Sequence, residues 1–79
     1  MFWVYVLKSR RTGRRYVGCT ADLDRRIEEH NRGQTRATRG GTPWDLAHKE
    51  AFQSHAEALR RERFLKSGRG RRELDGMIG

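Results

Sequence analysis

One carboxylate in this chain of 79 residues falls where an apolar side chain is expected. At about 100° per residue, the apolar residues Ala58, Leu59 and Leu65 fix the direction in which a helix here is buried. Glu62 points into the middle of that direction. A glutamate is rarely buried unless it is paired or binds a cation. Two explanations stay open: a partly exposed Glu62 that pairs with one of the many arginines, or a carboxylate that holds a metal ion.

Four other side chains have groups that suit proton transfer or phosphate binding. Tyr5 and Tyr16 lie in two runs of β-branched and aromatic residues. Arg26 and His30 are four residues apart on a predicted helix, so they stand on the same side of it, at the edge where helix and sheet meet. Each also has an ordinary explanation: a strand aromatic with an exposed hydroxyl, a surface cation, or a histidine that favours the helix dipole. Only the combination suggests a site.

The charge balance indicates what the chain binds. Eighteen lysines and arginines oppose ten aspartates and glutamates, which gives a net charge of +8 and favours a polyanionic partner. Fifteen of these cations are arginine, whose guanidinium grips phosphate oxygens through two parallel donors, so nucleic acid is the partner it suits best. Six arginines in two polar stretches are candidate nucleic-acid contacts, although a solvated loop would explain them as well. They are Arg10, Arg11, Arg14, Arg15, Arg36 and Arg39.

The cysteine and histidine content argues against a zinc protein. Cys19 is the single cysteine, which excludes an internal disulfide and a cysteine-rich zinc site, and no two histidines have the spacing of a metal pair on one helix. The early apolar run, residues 2–7, is too short to span a membrane and is followed by no cleavage site. We therefore expect a cytoplasmic protein without membrane contact.

The apolar blocks predict one domain, residues 1–79, with a single core. Asp22 is a suitable N-cap for a helix that Gly33 ends, and Ser54 with Glu57 forms a capping box that opens a second helix. The stretch between these helices predicts a mobile loop and then a third strand. The predicted elements are strands 2–7 and 15–19, a helix to residue 32, a loop 34–43, a strand 44–52, a helix to about residue 66, and a basic tail 69–79 with one or two helical turns.

These motifs together resemble the GIY-YIG nuclease superfamily. Tyr16-Val17-Gly18 is similar to the second half of its signature, and Trp3-Val4-Tyr5 to the first half. Residues 22–31 are similar to the helix that follows, where the family's catalytic arginine, here Arg26, comes ten residues after the second tyrosine. Residues 58–62 are similar to a later helix whose glutamate binds the metal. The likeness is to small stand-alone bacterial members and to the catalytic domains of excision-repair and structure-selective endonucleases.

The resemblance implies a fold, an activity and a cofactor. The fold would be a small α/β sandwich in which helices flank a central three-stranded antiparallel sheet. The activity would be that of a divalent-metal-dependent endonuclease that hydrolyses DNA with low sequence specificity, as in DNA repair. Mg²⁺ or Mn²⁺ would be held by Glu62, mostly through water. The implied catalytic residues are Tyr5, Tyr16, Arg26, His30 and Glu62, which we expect to converge on one shallow basic face.

The resemblance also implies roles within this set. Arg26 would bind the non-bridging phosphate oxygens, and the two tyrosines would orient the attacking water, with one of them taking its proton. Which tyrosine does so stays open. His30 would polarise a tyrosine hydroxyl or accept its proton.

Two positions depart from the family pattern. Trp3 stands where glycine is usual, which leaves Tyr5 in register. Cys19 stands where several members have a lysine near the metal or the nucleophile, so that helper role is unassigned, and we expect Cys19 to be a small buried hydrophobic residue without chemistry.

Other functions stay open on the sequence. A basic module that binds DNA or RNA on the same fold without cutting it would explain the charge. A ribosome-associated or structural basic protein would explain the charge too, but not the position of Glu62. If the chain is a nuclease, its specificity would come from a protein partner or from a second copy, because no separate DNA-reading domain is visible.

Overall fold

The centre of the molecule is one antiparallel sheet of three strands. A computed structural model describes residues 1–78. The strands are β1, Phe2–Ser9; β2, Arg15–Thr20; and β3, Trp44–Phe52, in the order β2-β1-β3. Because β1 lies in the middle and is covered on both faces, its residues Val4 to Leu7 are all buried. The unbroken apolar run at this place in the sequence is typical of such a strand.

Three helices flank the sheet, and the predicted order of elements is confirmed. They are α1, Leu23–Asn31; α2, His55–Lys66; and α3, Gly68–Ile78, and a 3-10 turn spans Arg39–Gly41. Both predicted caps are present. The Asp22 side chain accepts a hydrogen bond from the backbone N–H of Arg25 at 3.2 Å, and the Ser54 hydroxyl accepts one from that of Glu57 at 3.1 Å.

The alternation of side chains along β1 divides the core into two layers. Val4 and Val6 pack with Ala58 and Leu65 of α2 and with Leu74 of α3. The intervening residues point to the opposite face, since successive side chains of a strand alternate. There they pack against α1 and the start of β3, in a cluster formed by Tyr5, Leu7, Leu23 and Trp44. Helices α1 and α2 therefore lie on opposite faces of the sheet.

The basic tail forms a helix of 11 residues, longer than the one or two turns predicted. Gly70 allows its close approach, because a Cβ there would overlap the backbone of Phe64 and Leu65. Arg61 of α2 adds ion pairs with Glu50 at 2.8 Å and Glu73 at 3.1 Å. The last residue of the predicted tail, Gly79, lies outside the described residues. No helix within residues 1–78 is long and apolar enough to cross a bilayer.

The segment between α1 and β3 is irregular, as predicted, but it is anchored rather than free. Thr38 is 1% exposed, and its carbonyl accepts a hydrogen bond from Nε1 of Trp44 at 2.8 Å. Asn31 holds the backbone of Trp44 in both directions, since its Nδ2 donates to the carbonyl at 3.1 Å and its Oδ1 accepts from the N–H at 2.6 Å. The composition of this segment suggested mobility, and these buried contacts argue against it.

Candidate active site

A buried hydrogen bond joins β1 to α1. The Tyr5 hydroxyl and Nε2 of His30 are 2.9 Å apart, and the two residues are 1% and 0% exposed. On the other side of the imidazole, Nδ1 lies 2.7 Å from Oγ1 of Thr38. The ordinary explanation of Tyr5 as a strand aromatic with an exposed hydroxyl is therefore wrong, and His30 is fully buried between helix and sheet rather than at their edge.

Space for the Tyr5 hydroxyl comes from Gly18, its partner across the β1–β2 ladder. A Cβ built on Gly18 would overlap the hydroxyl oxygen and lie 2.5 Å from Cζ of the ring. The backbone of Gly18 does not have a positive φ, so the position does not need glycine for its conformation. It needs glycine because the ring of Tyr5 occupies the place of a side chain.

Burial controls the protonation of this pair. It raises the pKa of Tyr5 to about 12, an effect that the nearby Arg26 guanidinium opposes and that the charges of Tyr16 and Glu62 reinforce. Burial and the positive charge of Arg26 lower the pKa of His30. Near pH 7 the pair therefore consists of a protonated Tyr5 and a neutral His30.

Tyr16 is the more accessible of the two tyrosines. It is half-buried, and its ring centroid lies 5.0 Å from that of His30 in an edge-to-face arrangement and 6.4 Å from that of Tyr5. Among residues 1–78 the structure gives its hydroxyl no hydrogen-bond partner. Of the two hydroxyls, that of Tyr16 can therefore bind a water or a substrate without breaking an existing contact.

Arg26 lies on α1 beside this aromatic group. Its Nη1 donates to Oε1 of Glu29 at 2.9 Å, and its side chain is 35% exposed. Its guanidinium also acts on the Tyr5 hydroxyl, whose pKa it lowers. Arg26 thus joins the aromatic group to a shallow groove of about 230 Å³ that Arg25 and Glu29 also line.

Glu62 lies on α2 with its side chain 17% exposed and pairs with Nζ of Lys66 at 3.2 Å. The pairing anticipated from the sequence exists, although the partner is a lysine of the same helix rather than an arginine. The negative charge of Glu62 raises the pKa of both Tyr5 and Cys19, after burial, which has the larger effect on each. The carboxylate therefore acts on the same tyrosine as Arg26.

The five implied catalytic residues do not share one face of the sheet. Four of them lie on the α1 side, whereas Glu62 comes from the α2 side, where Cys19 also packs. The two sides meet at the edge strand β2, because Cys19, which feels the charge of Glu62, is adjacent to Gly18, which lies against Tyr5. The expected convergence of all five residues on a single face is therefore wrong, because Glu62 lies on the other side of the sheet from Arg26.

The residues present suit Mg²⁺ or Mn²⁺ better than a metal that requires a complete protein cage. Within residues 1–78 there is no group of three or more His, Cys, Asp or Glu side chains that could hold an ion. Mg²⁺ keeps several waters and needs only one or two carboxylates together with substrate phosphate. Glu62, whose side chain is 17% exposed, is the carboxylate of the implied site that could be such a ligand.

The six arginines that are candidate nucleic-acid contacts differ in whether they already pair with other groups of the protein. Arg10 pairs with Asp45 at 2.8 Å, and Arg15 pairs with Asp75 at 2.6 Å. Nε of Arg39 donates to the carbonyl of Gly33 at 3.0 Å. In the part of the chain that the structure describes, the remaining three are exposed and form no ion pair. They are Arg11, Arg14 and Arg36.

Two grooves lead away from Tyr16. One, of about 500 Å³, lies between the β1–β2 hairpin and α3, and four of its lining residues are cations. The other, of about 190 Å³, lies between the hairpin and the segment before β3. Arg14, Arg15 and Tyr16 line both. A basic surface therefore runs past the accessible tyrosine. The four cations of the larger groove are Arg14, Arg15, Lys66 and Arg71.

Sequence reasoning missed two residues of this site. Thr38 supplies the second partner of His30 from an irregular segment whose arginines are its most evident candidate residues. Gly18 belonged to the signature, but the need for space beside Tyr5 was not foreseen. Tyr5 faces Gly18 across the β1–β2 ladder, and this pairing could have indicated that Gly18 leaves space for the ring. No local pattern points to Thr38.

Comparisons with known proteins identify the family of the chain. Residues 1–74 match the family model of the GIY-YIG catalytic domain. The chain is 46% identical over 67 residues to a UPF0213 protein of Halobacterium salinarum, in an alignment that covers 84% of this chain and 86% of that protein. It is 36% identical over 66 residues to a UPF0213 protein of Staphylococcus aureus, with 82% and 79% coverage.

A solved structure is similar as well. The solution NMR structure of a UPF0213 protein from Bacillus halodurans matches the fold with a TM-score of 0.60 at 38% sequence identity. The match covers 100% of this chain and 87% of that one.

Gly18→Ala tests the packing of Tyr5. We expect the new methyl group to displace the ring and to lower the free energy of unfolding by about 1–3 kcal/mol, the usual cost of overpacking. The measurement is urea denaturation followed by circular dichroism. Gly40→Ala is the matched control, because a Cβ at Gly40 meets no atom within 4 Å. Equal stabilities of the two variants would contradict the account of Gly18.

The buried neutral His30 predicts a dependence of stability on pH. Its folded pKa is below its ordinary value of 6.5, so the unfolded chain binds this proton more readily. The contribution of neutral His30 to the free energy of unfolding is complete above pH 6.5. It is lost as the pH falls towards the folded pKa, and the free energy of unfolding then changes by at most about 1.4 kcal/mol per pH unit. Urea denaturation from pH 8 to pH 5 measures it. His30→Gln should flatten this part of the profile, whereas His55→Gln, at an exposed position, should keep it; parallel profiles for wild type and His30→Gln would refute the assignment.

Proposed function

We propose that this chain, which belongs to the GIY-YIG catalytic-domain family, is a divalent-metal-dependent endonuclease that hydrolyses phosphodiester bonds in DNA. Among the proteins to which it is similar are UPF0213 proteins. Its intrinsic sequence specificity is low in this proposal, and a role in DNA repair would follow from the same activity. Five residues form the proposed site. They are Tyr5, Tyr16, Arg26, His30 and Glu62.

The observation that carries the proposal is that the fold joins the Tyr5 hydroxyl to Nε2 of His30 at 2.9 Å and packs Tyr16 edge-to-face on the same imidazole, in a chain whose residues 1–74 match the GIY-YIG catalytic domain. Arg26 lowers the pKa of Tyr5 and Glu62 raises it, so the cation and the carboxylate both lie within electrostatic reach of the same group. The cation suits the phosphate and the carboxylate suits a metal ion. Tyr5 thus connects the two charged groups that phosphodiester hydrolysis requires.

Glu62 is the residue that would hold Mg²⁺ or Mn²⁺ in this proposal. When bound, the ion supplies Lewis-acid stabilisation of the negative charge that develops on the phosphate and on the leaving oxygen. Lys66, which pairs with Glu62 at 3.2 Å, is half-exposed and can leave the carboxylate without being desolvated.

Tyr16 is the residue that would orient the attacking water. Its hydroxyl has no hydrogen-bond partner within residues 1–78 and the residue lines both basic grooves, whereas the hydroxyl of Tyr5 is buried against Gly18 and directed at His30. The raised pKa of Tyr5 also argues against its acting as a base near pH 7. These differences favour Tyr16 as the tyrosine that takes the proton of the water in this proposal.

Arg26 is the residue that would stabilise the phosphate. Its guanidinium carries donors in a fixed plane, and its ion pair with Glu29 restricts that plane before substrate binds. A donor held in advance at the position where charge develops lowers the barrier without the cost of reorganising the site. Water attack forms the new P–O bond, and the bond to the leaving oxygen breaks as its charge is neutralised.

The larger groove is the proposed path of the nucleic-acid strand. Arg14 on the hairpin and Arg71 on α3 line it from opposite sides, and both are exposed. Phosphates of a strand that passes through this groove would neutralise these charges beside Tyr16. Contacts to phosphates carry no sequence information, so low sequence specificity is expected of the chain by itself.

A second candidate function is a module that binds nucleic acid without cutting it. The pairing of Glu62 with Lys66 favours it, because a carboxylate neutralised by a lysine has less need of a metal ion. Both functions predict binding, and only the first predicts cleavage that depends on Mg²⁺. Cytoplasmic location, and a protein partner or second copy that adds specificity, belong to the proposal as further expectations.

Glu62→Gln tests the metal site. The substitution removes the anionic oxygen and keeps the volume of the side chain, so we expect Mg²⁺-dependent cleavage of labelled oligonucleotides to be lost while the circular dichroism spectrum is unchanged. A panel of single strands, flaps, junctions and duplexes covers the possible substrate shapes. Glu57→Gln, at an exposed position of the same helix, is the matched control and should cut normally. Cleavage at the wild-type rate by folded Glu62→Gln would refute the mechanism.

Arg26→Ala tests the phosphate-binding role. We expect kcat to fall by at least about a hundredfold, as the loss of a preorganised charged donor usually causes. Arg25→Ala is the control, since Arg25 is adjacent on α1, pairs with the same Glu29 and is 75% exposed; its kcat should stay within about twofold of wild type. A loss below tenfold in Arg26→Ala would remove Arg26 from the site.

A further inference from the structure

A continuous series of buried polar groups continues beyond the tyrosine and histidine. His30 Nδ1 is 2.7 Å from Oγ1 of Thr38, and that hydroxyl is 3.4 Å from the carbonyl oxygen of Thr35. With the contact of 2.9 Å between Tyr5 and His30, the series spans four residues from three parts of the chain. Tyr5, His30 and Thr38 are each at most 1% exposed, so water cannot replace any of these partners.

The two ends of the series fix the direction of every proton in it. At one end, the Thr35 carbonyl can only accept a hydrogen bond. At the other end, the Arg26 guanidinium, which acts on the Tyr5 hydroxyl, can only donate. The consistent arrangement therefore has Tyr5 O–H donating to Nε2, Nδ1–H donating to Oγ1 of Thr38, and Oγ1–H donating to the Thr35 carbonyl, with the Tyr5 oxygen left free to accept from Arg26.

The reverse arrangement leaves a donor without a partner. If Thr38 donated to Nδ1, the ring proton would be on Nε2 and would point at the Tyr5 oxygen. The Tyr5 proton would then face two donors, His30 and Arg26, at a position that is 1% exposed. A buried hydroxyl without an acceptor is costly, so the first arrangement is favoured.

We propose that Thr38 is a positioning residue whose hydroxyl accepts the proton of His30 Nδ1, fixes the imidazole in the Nδ1–H tautomer, and so leaves the Tyr5 oxygen to accept from Arg26. Its effect on cleavage rests on the proposed function, whereas the tautomer does not. No proton leaves or enters this network in the reaction. Its contribution is to hold Arg26 in the orientation that the phosphate requires.

Thr38 is well suited to this task because its own position is fixed on several sides. Its N–H donates to the carbonyl of Thr35 at 3.1 Å, and its carbonyl accepts from the N–H of Gly41 at 3.1 Å and from Nε1 of Trp44 at 2.8 Å. Asn31, next to His30 on the chain, holds the backbone of Trp44. The Thr38 hydroxyl and the His30 imidazole are thus attached to the same rigid unit. A hydroxyl that is to orient an imidazole must itself be held in place.

Imidazole ¹⁵N NMR of the full chain tests the tautomer directly. In long-range ¹H–¹⁵N spectra at pH 7.5, we expect His30 to show a protonated Nδ1 and an unprotonated Nε2. A proton on Nε2 in the wild type would overturn the proposal, whether or not the protein cuts DNA. His30→Gln assigns the signals by removing one set.

Three substitutions separate the hydroxyl from the rest of the segment. Thr38→Val removes the hydroxyl at nearly constant shape and should move the ring proton wholly or partly to Nε2. Thr38→Ser keeps the hydroxyl and should keep the wild-type spectrum. Thr35→Val is the matched control, because Thr35 takes part through its backbone carbonyl, and it should also keep the wild-type spectrum. An unchanged spectrum in Thr38→Val would refute the role of Thr38; if this variant does not fold, Thr38→Ala takes its place.

Kinetics on the same variants test the link to Arg26. For Thr38→Val we expect kcat to fall by about tenfold, the rate equivalent of about one lost hydrogen bond, while KM stays within about twofold. Thr38→Ser should recover the wild-type kcat. A Thr38→Val protein with a changed tautomer and an unchanged kcat would overturn the positioning role. Absence of any cleavage by the wild type would instead refute the proposed function and leave the tautomer to be decided by the spectra.

Discussion

A tyrosine on the central strand of a small sheet brings a hydroxyl into the core, and a buried hydroxyl must find a partner. In this molecule that partner is His30, and the requirement shapes the surroundings of Tyr5. Position 18 is a glycine because a side chain there would overlap the Tyr5 ring, and the buried Thr38 hydroxyl is the hydrogen-bond partner of His30 Nδ1. The same hydroxyl feels the charges of Arg26 and Glu62, so one polar contact links the packing of the core to the groups proposed for chemistry.

Local signals were sufficient for most of the fold. The apolar run in β1 predicted a strand covered on both faces, and the capping residues Asp22 and Ser54 predicted where α1 and α2 begin. Such signals depend on backbone hydrogen bonds and side-chain alternation within a few residues, which the sequence displays directly. The length of α3 was underestimated, because its packing depends on Gly70 fitting against the end of α2 rather than on its own pattern.

The candidate site could be predicted only as a set of residues. Which face each one occupies follows from tertiary packing: β1 separates Glu62 on α2 from Arg26 on α1, and no periodicity along either helix reveals this. The burial of His30 was missed because its neighbours on α1 are charged and its partner Thr38 lies in an irregular segment. Hydrogen bonds between distant, irregular segments leave no repeating trace in a sequence.

Helix α3 forms one wall of the larger groove, and much of its attachment is electrostatic. Besides Leu74 in the core, it is held by the pairs of Arg61 with Glu73 and of Arg15 with Asp75, in which both carboxylates are exposed to solvent. Pairs of this kind weaken as ionic strength rises, because mobile ions screen them. The width of the groove is therefore set in part by the surrounding electrolyte: the ions that compete with a polyanion for Arg14 and Arg71 also loosen the wall against which that polyanion would lie.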